Sequence, residues 1–434
     1  MKKNYSLSWL LIGSLLLLLI SACNSKVDFG YPEINVMLPL PGRIYQNGDT
    51  IKFQAEFSDN NQLTNIELLL VDQDNKPMLP VVSITPNQNP FIFEGDYIIN
   101  DPMLPGGSYY INFRASNGEN STNRFVAVQI HELAREMLYP IIVTHPETDI
   151  WNAYRLTKDN NWLKYYTQTG DYAGCAINST ESQFYICGNS ISNLSSVKLP
   201  GGALQWIIKP VYYQSHNWFG GLEFSYPNLY VSCAEGNIRG YNKTGNEIYK
   251  SETFPNAEPS LLVATKNFVV GAFADAFSSD RFLVAFHYPG GKMFSNKFFH
   301  GEIVGMLYTS AEKILVFSNS DGQGSISQYN ATDNSLSVLH PFYNGVFIDA
   351  AKMDSDNYII SSSSGICLYC ISNNSLTPLL PEIKDAKIAC DNTMQQFYAC
   401  SGKEMQVYSF PSPVLLEKIP LPDTIVDFHL VFNK

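Results

Sequence analysis

The chain has 434 residues, 45% of them hydrophobic and only 16% charged, with 26 Tyr, 26 Phe and a net charge of −12. That length exceeds one ordinary core, so two or three domains are expected, and the aromatic-rich, charge-poor composition leans to β structure. An acidic chain with few Lys/Arg clusters argues against a nucleic-acid binder, which needs a basic face.

The first residues address the chain. Lys2 and Lys3 form a positive start, and Leu7 to Ile20 is an apolar run of secretory-signal length, short for a membrane span. Without those two lysines the net charge would be −14. The run ends in Ile20-Ser21-Ala22-Cys23. This resembles the lipobox of bacterial lipoproteins, which are cut before the cysteine. The resemblance implies a signal peptide over 1–22, acyl (palmitate-type) chains on Cys23, and a lipidated tether over 23–31. Asn24 rather than Asp follows the cysteine, which by the same resemblance points to the outer membrane, with either leaflet open. An uncleaved anchor helix with an incidental cysteine is the alternative.

Residues 32–131 alternate apolar and polar positions in six or seven short segments, such as Thr50–Phe57 and Asn65–Val71. Turn clusters, among them Asn47-Gly48-Asp49 and Pro105-Gly106-Gly107, separate them. Such spacing predicts a β-sandwich. The runs Asn47–Asp72 and Gly106–Ile130 resemble Ig-like domains at the front of secreted bacterial lipoproteins, which implies a spacer or docking module. His131–Leu138 reads as a polar helix, and 132–138 as the linker. Its HELAR opening fails the HExxH zinc pattern, because Arg135 stands where the second His belongs.

From residue 139 to 434 a unit repeats. Asn228–Lys250 contains its pattern: three strands joined by turns at Gly236 and Gly245, where positive φ is expected. The segments Gln183–Cys187, Leu229–Cys233, Asn267–Gly271, Lys313–Phe317, Asn357–Ser361 and Gln396–Cys400 align as second strands, at spacings of 46, 38, 46, 44 and 39. Four strands per unit of this length is the propeller period. The unit begun at Tyr139 lacks a first strand, and Ile425–Phe432 is surplus at the end. Placing the surplus strand innermost there gives a seven-bladed β-propeller closed by the C-terminal strand. The fold class expected is therefore all-β, an Ig-like sandwich followed by that propeller. In layout alone the repeats resemble WD40 and quinoprotein propellers, without the repeated Trp or the GH…WD signature.

Seven cysteines remain besides Cys23. Cys175/Cys187 and Cys390/Cys400 can face each other on neighbouring strands, or all seven can be small buried residues. Cys367 and Cys370, three apart on a strand, point to opposite faces, which speaks against a metal or redox CxxC. No catalytic signature and no cofactor or metal motif is found. His287 and His429 sit within strands and read as core.

In an up-and-down blade the fourth-to-first and second-to-third loops share one rim. The longest such loop concentrates Tyr212, Tyr213, His216, Trp218 and Phe219. These rings can stack on a glycan or dock a protein, or they can pack between blades. Glu235, Asp275, Asp280, Asp321 and Glu404 fall in second-to-third loops and can form an acidic collar, or simply a solvated surface. The reading that follows is a non-catalytic binding or scaffold lipoprotein of the cell envelope, held to the membrane by its lipid, with a protein partner or glycan at the rim. A polysaccharide-cleaving propeller enzyme is one alternative. Another is an envelope-assembly subunit similar to the lipoprotein propellers of outer-membrane protein insertion machines.

Overall fold

A computed structural model describes residues 30–210, 218–310 and 312–434. The expected signal peptide, Cys23 and nearly all of the tether lie outside these residues. The described chain is all-β, and none of its segments is a helix long and apolar enough to cross a membrane. It divides into two compact units between Ala134 and Arg135.

The first unit is two sheets around one core. Glu33–Leu38, Thr50–Ser58 and Phe91–Ile98 form a three-stranded sheet. The other has five strands, in the order Arg43–Gln46, Ser121–His131, Gly107–Ser116, Asn65–Val71, Val82–Ile84. Its first pair is parallel. Period-2 alternation does the work: in Thr50–Ser58, Ile51, Phe53, Ala55 and Phe57 turn inward, and Ile66, Leu68, Phe113 and Val128 meet them from the facing sheet.

The second unit contains seven four-stranded antiparallel sheets among the described residues, the layout of a β-propeller. Its inner strands are Ile425–Phe432, Gly174–Asn178, Phe219–Ser225, Ala257–Ala264, Glu302–Ser310, Phe347–Lys352 and Lys387–Asp391. Each lies against the next, and the last lies against the first. Seven apolar clusters each bridge two consecutive sheets, including the junction between the last sheet and the first. That explains the legible repeat. Second strands such as Gln183–Cys187 and Asn228–Cys233 are covered on both faces, so every residue is buried and the sequence reads as an unbroken apolar run.

The C-terminal strand joins the sheet placed for it in the sequence reading. Ile425–Phe432 pairs antiparallel with Met137–Glu147, from Ile425 opposite Thr144 to Phe432 opposite Met137. Arg135 stacks its guanidinium 3.6 Å over the Phe432 ring and donates to Asn392. Asn433 and Glu136 exchange two hydrogen bonds at the same junction.

The expected helix at His131–Leu138 is not formed. His131 ends one strand, residues 132–136 are irregular, and Met137 starts the next. Strand pairing claims both ends of the run: His131 pairs with Gln46, and Met137 pairs with Phe432, which leaves too few residues between them for a helix. Gly236 and Gly245 have φ of 76° and 82°, as their turns require. A Cβ at Gly236 would also stand 2.3 Å from the Phe254 carbonyl oxygen.

One tie recurs between sheets. The Tyr329 hydroxyl donates to the Asn334 side chain, which donates in turn to the Asn296 carbonyl of the preceding sheet. Tyr369, Asn374 and the Leu339 carbonyl repeat it. Both asparagines hold left-handed φ, 54° and 51°, which Asn tolerates better than most residues.

Candidate functional site

Among the described residues the seven cysteines are free. Cys187 lies opposite Gly174, so the pleat turns Cys175 to the other face, towards the neighbouring sheet. Cys400 opposes Lys387, three residues before Cys390, with the same result. The possible pairings therefore do not form, because alternation separates the sulfurs. The alternation also parts Cys367, which is buried, from Cys370, which faces Asp356 and Ser372.

The expected aromatic rim needs correction. Tyr212, Tyr213 and His216 lie outside the described residues. Trp218 and Phe219 are only 3% and 0% exposed, packed with Cys187, Val231 and Cys233 between two sheets, with Arg239 set 5.6 Å from the Trp218 ring. They are core and cannot offer a face to a ligand. The backbone amides of both donate to the Asn189 carbonyl, which fixes the chain where it enters the inner strand.

Glu235, Asp280 and Asp321 sit in second-to-third loops, while Asp275 ends a second strand and Glu404 begins a third strand at such loops, each with local duties. Glu235 accepts from Asn237 and pairs with Arg239, and these contacts hold its carboxyl below the usual range. Asp275 accepts the Phe277 and Ser278 amides, which lower its pKa likewise. Asp321 accepts from Ser320, and Glu404 pairs with Lys418 at 3.7 Å. Asp280 is exposed beside Arg281. A hollow of about 480 Å³ opens on this rim, lined by Asn319, Asp321, Val346 and Phe347.

The same rim carries exposed apolar groups that the sequence did not single out. Phe277, in a second-to-third loop, is 85% exposed, and Tyr343, in the fourth-to-first loop that leaves the following sheet, is 70% exposed. Ile191 stands out from another second-to-third loop. Phe277 and Ile191 are single apolar residues in polar loops, and Tyr343 follows a buried Phe342, so no long aromatic run marks them in the sequence.

Inner strands bring together a second group. Asp427 and His429, two apart and so on one side of Ile425–Phe432, meet Cys175 of the adjacent inner strand. Their donor atoms all lie within 4.8 Å of one another, with His429 Nε2 3.6 Å from Asp427 Oδ1. The Tyr172 hydroxyl donates to Asp427 Oδ2 at 2.7 Å. Behind it three rings stack: Tyr172 on Trp151 with centroids 4.7 Å apart, and Trp151 on His145 at 4.0 Å. The Trp151 indole donates to the Gly170 carbonyl and locks the stack. Burial, then the charge of Asp427, pushes the Cys175 thiol well above its ordinary pKa, so it is no activated nucleophile.

Two more carboxyls occupy inner strands. Glu223 keeps part of its surface exposed, yet its carboxyl is enclosed by protein, and desolvation pushes it up to about 8. Asp349 is raised by desolvation despite Lys387 and the Ile388 amide, with Asp427 adding repulsion. A groove of about 760 Å³ separates the first and last sheets, lined in part by Tyr139, Arg155, Lys158, Tyr398 and Glu417.

No protein-family model matches the chain, and no curated protein sequence matches it. Solved structures do. A quinoprotein alcohol dehydrogenase-like protein from Bacteroides thetaiotaomicron is 12% identical, covering 92% of this chain and 99% of its own, with a TM-score of 0.47. The β-propeller domain of Cps50 (Swd1) from Myceliophteria thermophila is 10% identical over 63% and 99%, with a TM-score of 0.48. BamB from Moraxella catarrhalis is 12% identical over 66% and 88%, with a TM-score of 0.40. These are likenesses of fold.

Proposed function

We propose that this chain is a lipid-anchored binding or scaffold protein of the cell envelope. In this reading residues 1–22 are a lipoprotein signal peptide, Cys23 carries the lipid in the outer membrane, and 23–31 is the tether. Residues 32–131 are an Ig-like spacer, 132–138 the linker and 139–434 a seven-bladed propeller. The lipobox sequence supports the anchor. The Ig-like reading is supported by two sheets with a parallel edge pair and by the Tyr109 hydroxyl donating to the Pro105 carbonyl four residues upstream, a tyrosine-corner contact.

The observation that carries the binding role is the exposure of Phe277 and Tyr343 beside the carboxylates of one propeller rim. Large apolar rings standing in water, within a polar surround, are the composition of an interface anchor. The rim then engages a protein partner or glycan through these rings, with Asp275 and Asp321 at their edge.

The test has two parts. Cys23→Ser moves the protein from the membrane fraction to the soluble one; retention in the membrane would remove the anchor. Phe277→Asp with Tyr343→Asp abolishes specific capture from solubilised envelopes and signal on a glycan array, with Tm unchanged. A wild-type protein that captures nothing the double variant does not also capture would remove the rim.

A further inference from the structure

We propose that Cys175, Asp427 and His429 form a binding site for a zinc-type divalent cation, and that the cation pins the C-terminal strand to the next sheet. This is independent of the rim reading. The donor set is the first argument. An imidazole nitrogen, a carboxylate oxygen and a sulfur converge with every pair within 4.8 Å. Ligand atoms about 2.0–2.3 Å from a tetrahedral zinc stand roughly 3.3–3.8 Å apart, and the His429–Asp427 separation of 3.6 Å already falls there. Mixed N, O and S donors suit zinc-like ions rather than calcium or magnesium, which prefer oxygen.

The second argument is the state of the imidazole. His429 Nε2 is shut off from solvent and has no hydrogen-bond partner, although it faces the other two donors. A buried ring nitrogen left unpaired is costly, and a metal would satisfy it. The third is support around the carboxylate. Tyr172 donates to Asp427 Oδ2 and the Phe428 amide to Oδ1, which turns Oδ1 towards the histidine, while the Trp151–His145 stack fixes Tyr172. Outer groups of this kind orient metal ligands.

Charge balances as well. On binding, the Cys175 S–H bond breaks, the proton goes to solvent, and the sulfur donates its electron pair to the cation. Thiolate and carboxylate then neutralise the divalent charge. Three protein ligands leave a fourth position for water. Two ligands sit on the strand that closes the ring and the third on the adjacent sheet, so the cation bridges two inner strands far apart in sequence.

The experiment uses the detergent-solubilised full chain, stripped with chelator and dialysed. Zn²⁺ titration with metal analysis is expected to give one equivalent per chain and a raised Tm. Co²⁺ is expected to give a sulfur-to-metal charge-transfer band. Cys175→Ser should lose that band, His429→Gln should bind at least about tenfold more weakly, and Tyr172→Phe should weaken binding roughly 10–100-fold. Circular dichroism of the metal-free variants establishes that they fold, and any variant that does not is replaced by Asp427→Asn. Absence of stoichiometric binding by wild type, or equal binding by Cys175→Ser and His429→Gln, overturns the proposal.

Discussion

At the scale of single residues, Glu223 makes a testable statement about pH. Its carboxyl is raised to about 8 in the folded protein, because burial disfavours the charged form. Between the ordinary glutamate pKa, about 4.3, and 8, the folded state therefore holds more protons than the unfolded one. The neutral acid costs nothing below that window, and stability falls as pH rises through it. Wild-type Tm should decline from pH 5 to pH 8, and Glu223→Gln should flatten this slope and be the more stable protein at pH 8, by roughly 1–3 kcal/mol. Parallel slopes in melts across that range would show that the carboxyl is not buried as described. Residue-scale chemistry was only partly legible in the sequence. The positive φ at Gly236 and Gly245 was, because turn chemistry is local. Cys175, Asp427 and His429 were not, because only ring closure brings Tyr172 and Asp427, 255 positions apart, into contact. Phe277 and Tyr343 were missed because neither belongs to a long aromatic run, whereas the conspicuous cluster at Trp218 and Phe219 is there to fill the space between two sheets.

At the scale of elements, the recurrent Tyr–Asn tie explains how the outer turns of neighbouring sheets are held. Asn374 satisfies the Tyr369 hydroxyl, reaches the Leu339 carbonyl and adopts left-handed φ. Asn374→Ala removes both bonds and places Ala in a disfavoured backbone region, so a loss of about 1–3 kcal/mol is expected in urea unfolding. Asn374→Gly, which keeps the backbone easy, should lose less. The second strands were readable because two-sided burial leaves an unbroken apolar signature. The stretch at His131–Leu138 was misread because its charged residues suit a helix locally, while the pairing that overrides them is non-local. The short strands Arg43–Gln46 and Val82–Ile84 carry too few residues for any period to register.

At the scale of the whole molecule, closure by the last strand is the feature on which the second unit's cooperativity depends. Removing residues 425–434 would leave Met137–Glu147 with a bare ladder edge and strip apolar cover from Ile142 and Leu156. That truncation should broaden the thermal transition, speed proteolysis within 137–169 and promote association on gel filtration. A sharp, monomeric, protease-resistant product would show that the sheet beginning at Met137 stands without its fourth strand. Arg135→Ala, which removes the guanidinium from the Phe432 ring and from Asn392, should be a mild version, costing about 1 kcal/mol.

The handshake between Glu136 and Asn433 spans 297 positions of chain. Whatever order the intervening sheets form in, this seam stays open until the two ends meet. Final locking is then a late event, timed by the arrival of the tail rather than by the folding of any single hairpin. A chain cut short of this strand lacks its fastener and leaves the ladder edge of Met137–Glu147 open to proteases.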